Sequence, residues 1–356
     1  MKKYITYTFI ILFITSCSKT SEVSNSNNPN TTNNNFQEWL VPLGEIRDGG
    51  PGKDGIPSID TPIFVDANSS DANYLDDDDL VIGIVKGSQI KAYPHIVMDW
   101  HEVVNDNFDG FPVTISYCPL TGTAFGWNGI INGQITTFGV SGLLYNTNLI
   151  LYDRNSDSNW SQLRLQCING SQISSIPETE SVIETTWGVW KNMFPSTKVL
   201  SLFTGFNRDY GTYPYGDYIT NNDFLLFNVN PTNNTLPSKE RVFALIDNNL
   251  SKAYRFENFN NGKVVNETFN GNQYLIVGNN NIINAFKLSG STLGLSFQYN
   301  YSNSEEFFID NEGNKWNIFG KAIQGPRVGQ KLTPSKSVVS YWFAIASFYP
   351  NPEIYQ

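Results

Sequence analysis

Histidine, cysteine and methionine are scarce in this chain: two, three and three among 356 residues. So few imidazoles and thiols exclude a dense metal cluster or a scaffold stapled by several disulfides. Basic charge is thin as well. Lys and Arg number 23 against 33 Asp and Glu, a formal net charge of −10, and such a surface makes nucleic acid a poor partner. Past residue 16 no apolar run approaches the roughly 20 residues that cross a bilayer.

What is present begins at the first residues. MKKYITYTFIILFITSCSKT opens with Lys2 and Lys3, followed by an apolar stretch from Tyr7 to Ile14, then Ile14-Thr15-Ser16-Cys17. This is the layout of a lipoprotein signal peptide over residues 1–16, with an acylated Cys17 as the expected mature N-terminus. Several acyl chains on one residue anchor stably. Loss of Lys2 and Lys3 leaves the remainder more acidic still. Residues 17–35 are rich in Asn, Ser and Thr with almost no apolar side chain, so they read as a disordered tether. The expectation is a cell-envelope protein, periplasmic or on the outer membrane, whose membrane partner is reached through the lipid on Cys17. No feature specifies a small-molecule or protein partner.

The rest is long enough for one large domain or two smaller ones, and it contains an echo of itself. LVIGIVKGSQIKAYPH from Leu80 is matched by RVFALIDNNLSKAYRF from Arg241, and NFDGFPVTISYCPLTGTAFGWNG from Asn107 by TFNGNQYLIVGNNNIINAFKLSG from Thr268. NWSQLRLQCINGSQISSIPETESVIETTWGVWKNMFP from Asn159 faces the stretch from Lys315, where Trp187 meets Trp342 and Pro195 meets Pro350 at one constant offset. Collinear blocks of this kind predict duplication: a first unit over 36–230 and a second, degenerate unit over 231–356. Period-2 runs of Val, Ile, Phe, Tyr and Thr between Gly, Asn and Asp turns predict strands near 80–85, 89–93, 112–117, 122–127, 135–139, 148–153 and 161–167. Their repeats fall near 241–246, 251–256, 273–277, 282–287, 293–299 and 306–309. Aromatics at helical spacing predict two short helices, Val182–Asn192 and Val338–Ser347. The expected fold is mainly β with a few short helices (α+β), as two tandem pseudo-equivalent β units.

The second copy lacks histidine and cysteine, so the residues it does not share are candidates for chemistry. WHEVVNDNFDGFPVTISYCPLTGTAF places His101 and Cys118 on either side of a strand, with His95 shortly before. His95, His101 and Cys118 offer two imidazoles and a thiolate, a set that suits copper or zinc, with Asp99 or Glu102 completing or orienting it. The same residues allow a Cys118 nucleophile activated by His101, oriented by Asp99, Glu102 or Asp106, with Arg154 as a second cation favouring the thiolate. Asp153-Arg154 at a strand end either caps the following turn or grips an anion with the Arg fork. Against these stand structural readings, in which His101 is a hydrogen-bonded core residue, His95 is merely exposed, and Cys118 is buried or joined to Cys167.

Other motifs are weaker. Gly139-Val140-Ser141-Gly142-Leu143 is no nucleophile elbow. Asp76-Asp77-Asp78-Asp79 fits no alternating calcium loop and reads as a solvated turn. Gly49–Gly55 lacks the order of a phosphate loop. RDYGTYPYGDYITNNDF from Arg208 is aromatic and polar, as sugar-binding surfaces are, and as irregular loops also are.

GGPGKDGIPSIDTPIF, KAYPHIVMDWHEVVND, VTISYCPLTGTAF, FGVSGLLYNTNLILYDRNSDSNWSQ and the terminal WNIFGKAIQGP and YWFAIASFYP together resemble the bacterial and archaeal DUF3179 family over about residues 45 to 350. The resemblance implies an order of motifs and no activity. Many members carry Cys-Pro-Leu-Cys where this chain has Cys118-Pro119-Leu120-Thr121, and the missing second cysteine argues against a two-thiolate site. The functional expectation is a lipid-anchored envelope protein with a copper, zinc or redox site around His101 and Cys118. The alternative is a non-catalytic binding module in which Cys118 is structural, so enzymatic and non-enzymatic readings both stand.

Overall fold

The computed structural model describes residues 38–356. The expected signal peptide, Cys17 and the tether lie outside the described residues. The described chain is mainly β, with three α-helices of seven residues each.

Four of its sheets form two matching pairs. Strands Val182–Thr186, Leu80–Lys86, Gln89–Pro94, Lys198–Leu200 and Phe64–Asp66 form one sheet in that order; Lys336–Tyr341, Arg241–Asp247, Leu250–Arg255 and Glu353–Ile354 form another. In each, the central hairpin gains an antiparallel strand on one side and a parallel one on the other. A second pair orders Thr179–Glu180, Thr123–Asn128, Phe111–Cys118 and Val103–Phe108 like Thr333–Pro334, Ile283–Leu288, Asn272–Gly278 and Lys263–Phe269. Two-residue turns set the registers. Asp109-Gly110 and Asn270-Gly271 both have positive φ at both residues, so the hairpins close with Phe108 opposite Phe111 and Phe269 opposite Asn272. Such sequences favour the turn whose twist matches the strands.

The expected helices are corrected at their first halves. Val182–Thr186 and Lys336–Tyr341 are strands, and helices α2 (Trp187–Met193) and α3 (Trp342–Phe348) begin only at the tryptophans. The β-branched run Val182, Ile183, Thr185, Thr186 suits a pleated edge, and pairing with Leu80–Lys86 outweighs the aromatic periodicity. Conversely, the expected turn at His95 is helix α1 (His95–His101), and the strands at Val103–Phe108 and Lys263–Phe269 come in addition to those expected.

The helices lock the halves together. Trp187 and Trp190 of α2 share a core with Leu275, Phe286 and Trp316 of the second half. Trp342, Phe343 and Ile345 of α3 share one with Leu149, Trp160 and Leu163 of the first. Residues 201–240 contain neither helix nor strand and run between the halves.

Candidate functional site

His101 ends α1 and is fully buried. Its Nδ1 lies 2.7 Å from the Pro57 carbonyl, and its Nε2 2.6 Å from Tyr210 Oη. A carbonyl can only accept, so Nδ1 carries the proton and Nε2 accepts from the tyrosine. Tyr210 Oη in turn lies 2.5 Å from Thr204 Oγ1. Burial, with the charge of Arg208 nearby, lowers the imidazole pKa, although the Pro57 bond opposes this. The ring is therefore neutral, with both nitrogens engaged, which leaves no lone pair for a metal.

Cys118 points elsewhere. The hairpin of Val103–Phe108 and Phe111–Cys118 does bring the two segments side by side, and Tyr117 N–H donates to Glu102 O at 2.7 Å. Side chains alternate across a strand, however. Tyr117 enters the core with Val97 and Ile115, while Cys118 enters the opposite one with Leu120, Leu144 and Leu149. Its Sγ is 3.8 Å from Thr147 O, and burial pushes the thiol up to about 11. Cys167 is also free and buried, with its thiol pushed up to about 11, so no disulfide joins the two. His95 is buried at the other end of α1, tilted against Tyr117 at 4.2 Å, with Nε2 3.3 Å from Glu184 Oε2. The expected ligand set of His95, His101 and Cys118 is thus not assembled. Among the described residues no group of three His, Cys, Asp or Glu side chains is placed to hold a metal ion.

Asp153 and Arg154 have local work. Buried Asp153 accepts from Ser156 N and Oγ and from Trp160 Nε1 at 2.7, 2.6 and 3.0 Å. Asp310 does the same for Asn314 and Trp316 Nε1 in the second half. Arg154 donates to Asp60 and to Ser58 Oγ at 2.9 and 2.7 Å.

The polar site that does form centres on a residue given only a supporting role by the sequence. Glu102 caps the C-terminal end of α1 in the left-handed region, φ 57° and ψ −26°, a conformation that costs a non-glycine residue about 1 kcal/mol or more. That turn folds its side chain inward, where it is 5% exposed. Among the described residues its one side-chain hydrogen bond comes from Tyr215 Oη at 3.1 Å. Burial raises the carboxyl to about 7, against the lowering effect of Tyr215. Glu102 and Tyr215 are the polar side chains of a cleft of about 150 Å³ otherwise lined by apolar groups that include Ile56, Leu120, Val140, Leu149 and Phe227.

Asp99, one turn back on α1, has its carboxyl held well above the usual range by burial and by the charges of Glu102 and Glu184. Burial also pushes Glu184 up, but Arg241 from the second half and His95 outweigh it and bring its pKa down. Tyr213 Oη is buried beside this group with no hydrogen-bond partner among the described residues. The tyrosines of the Arg208 segment thus face inward: Tyr210 onto His101, Tyr215 onto Glu102, Tyr218 onto Leu120 O.

A signal for Glu102 existed in the pairs of similar sequence blocks. At the separation that matches Lys91 with Lys252 and Gly110 with Gly271, Glu102 meets Lys263, Asp99 meets Asn260 and His95 meets Phe256. Shared positions do shared packing instead: Lys91 and Tyr93 bind Asp106 just as Lys252 and Tyr254 bind Glu267.

The architecture is thus a mostly β protein with an acidic, tyrosine-walled interior on one half. The chain belongs to the family described as protein of unknown function (DUF3179), whose model matches residues 53–352, a span that includes Glu102 and Tyr215. No curated protein and no solved structure matches the chain.

Proposed function

We propose that this protein is a cell-envelope ligand-binding protein, held at the membrane by lipid on Cys17, whose site is the cleft above Glu102. The carrying observation is a buried carboxyl that lines an apolar cleft, with Tyr215 as its side-chain hydrogen-bond partner among the described residues and its pKa near neutrality. An apolar pocket with a few convergent polar groups and a perturbed titration is the usual form of a small-molecule site. About 150 Å³ suits a single ring or a short branched chain. Near neutral pH Glu102 exists in both forms, so it can donate a hydrogen bond to a ligand oxygen or take a proton from a ligand base. Tyr215 orients it.

The reading treats the two halves as copies of one duplicated unit, with matching sheet orders in support, so that the residues only the first half has are the functional ones. A copper, zinc or redox role for His101 and Cys118 has the residue types in its favour, but an engaged imidazole and a protonated thiol do not supply the ligands it needs.

Benzyl alcohol serves as a probe of the cleft. Saturation-transfer NMR is expected to show it bound to the wild type, and its binding to be lost in Leu149→Trp, which fills the space, and weakened in Glu102→Leu. Binding that neither substitution changes would overturn the site. Labelling of cells with radioactive palmitate is expected to mark the wild type and not Cys17→Ala; equal labelling of both would overturn the anchor.

A further inference from the structure

The two matching sheets each leave one long edge strand. Val182–Thr186 pairs only with Leu80–Lys86, and Lys336–Tyr341 only with Arg241–Asp247. Both edges border one groove of about 400 Å³, whose lining includes Phe125, Leu165, Phe243 and Ile283.

The phase of each ladder follows from its last bond. Trp187 N–H donates to Asp79 O at 2.7 Å, and Trp342 N–H to Glu240 O at 2.8 Å. Main-chain groups alternate in direction along an antiparallel strand, so Ile183, Thr185, Val338 and Ser340 bond inward. Val182, Glu184, Ser337 and Val339 then turn their N–H and C=O outward. Tyr341, of the same parity, confirms this by donating outward to Thr121 O at 2.8 Å. The outward groups of Ser337 and Val339 have no hydrogen-bond partner among the described residues, and neither do those of Val182 and Glu184. Proteins normally blunt such edges with charge, proline or short strands. Here the short strands Thr179–Glu180 and Thr333–Pro334 do so beside the groove, and Thr123–Asn128 packs beside the Tyr341 end of Lys336–Tyr341, which leaves the groups of Val182, Glu184, Ser337 and Val339 unpaired among the described residues.

Charge in the groove is one-sided. Glu180 is paired with Lys86 at 2.8 Å, and Glu184 with Arg241. Lys336 on the rim has no carboxylate partner among the described residues, and neither does Arg164, whose charge acts on it. In a chain this acidic, two neighbouring cations without carboxylates mark a place for an acidic group supplied from outside.

We propose that this groove docks an extended strand of a partner polypeptide, which pairs its main chain with Ser337 and Val339 and sets an acidic side chain against Lys336. Strand addition of this kind takes affinity from the main chain and specificity from alternate side chains. The site is separate from the Glu102 cleft and does not depend on it.

The test uses the fluorescein-labelled peptide Thr-Val-Thr-Val-Thr-Glu, amidated at its C-terminus, and its Glu→Gln analogue. Anisotropy is expected to show binding of the Glu peptide, roughly tenfold weaker for the analogue and for Lys336→Glu, the size of one charge-assisted hydrogen bond. Ser337→Pro removes an outward N–H and no inward bond, a change edge strands tolerate. It is expected to abolish binding at an unchanged melting temperature, and the peptide to slow amide exchange at Ser337 and Val339. Should Ser337→Pro lower the melting temperature, the Lys336→Glu and Glu→Gln comparison decides. No binding at millimolar peptide, binding indifferent to both charge changes, or peptide-free dimerisation that Ser337→Pro abolishes, which would make a second copy the occupant, would each overturn the proposal.

Discussion

Glu102 is a carboxyl that folding moves out of water, and its consequence for stability has a definite sign. Its folded pKa, about 7, lies above the ordinary 4.5, so the fold favours the neutral acid. The stabilisation is whole below about pH 4.5 and is lost as pH rises through about 7, a loss of about 3 kcal/mol. Urea melts of Glu102→Gln should therefore match the wild type in acid and exceed it above neutrality; parallel curves at all pH values would contradict the assignment. The thiols carry a second expectation. With Cys118 and Cys167 buried and their pKa values raised to about 11, neither should react with Ellman's reagent in the native protein, and both should react in denaturant. Rapid native labelling of Cys118 would restore a nucleophile. The scarcity of sulfur and imidazole drew attention to His101 and Cys118, but scarcity says nothing of direction. One strand alternation sends Cys118 into apolar packing, and one carbonyl and one hydroxyl engage both nitrogens of His101. Glu102 was legible only in part, because the Tyr215 hydroxyl that meets its carboxyl comes from far along the chain.

At the level of elements, α2 depends on a glycine in the strand beneath it. A Cβ on Gly83 would meet Trp190 Cζ3 at 2.3 Å, so the ring lies flat against the backbone of Leu80–Lys86. Gly83→Ala is expected to cost about 1–3 kcal/mol, the range for overpacking a filled core, read as a lowered urea midpoint. An unchanged midpoint would mean that α2 can shift freely. Hairpins were the most readable elements, since Asp109-Gly110 and Asn270-Gly271 announce their turn type locally. The junctions at Trp187 and Trp342 were not, because a β-branched run followed by spaced aromatics satisfies a helical pattern until the pairing partner of the run is known. The α1 helix is only two turns long and lacks a side-chain N-cap, so nothing local separates it from a turn.

Across the whole molecule, the expected division at 230/231 cuts through shared cores. Each half supplies the helix that fills the other's interior, and Arg241 neutralises buried Glu184 across the same division. Residues 36–230 and 231–356 made separately should each lack a cooperative melting transition by circular dichroism, since each would expose the face its partner's helix covers. A sharp transition in either piece alone would show that it holds its own core. The mainly β class was legible in the period-2 runs between Gly, Asn and Asp turns. The interlocking was not, because which helix packs on which half is a long-range matter that leaves no local pattern. The central claim, a neutral-range carboxyl lining an apolar cleft, is tested most directly by the ¹³Cδ resonance of Glu102, assigned by its absence in Glu102→Gln and followed from roughly pH 3 to 10. A midpoint near 7 is predicted; a midpoint near 4.5 would place Glu102 in water and remove the site.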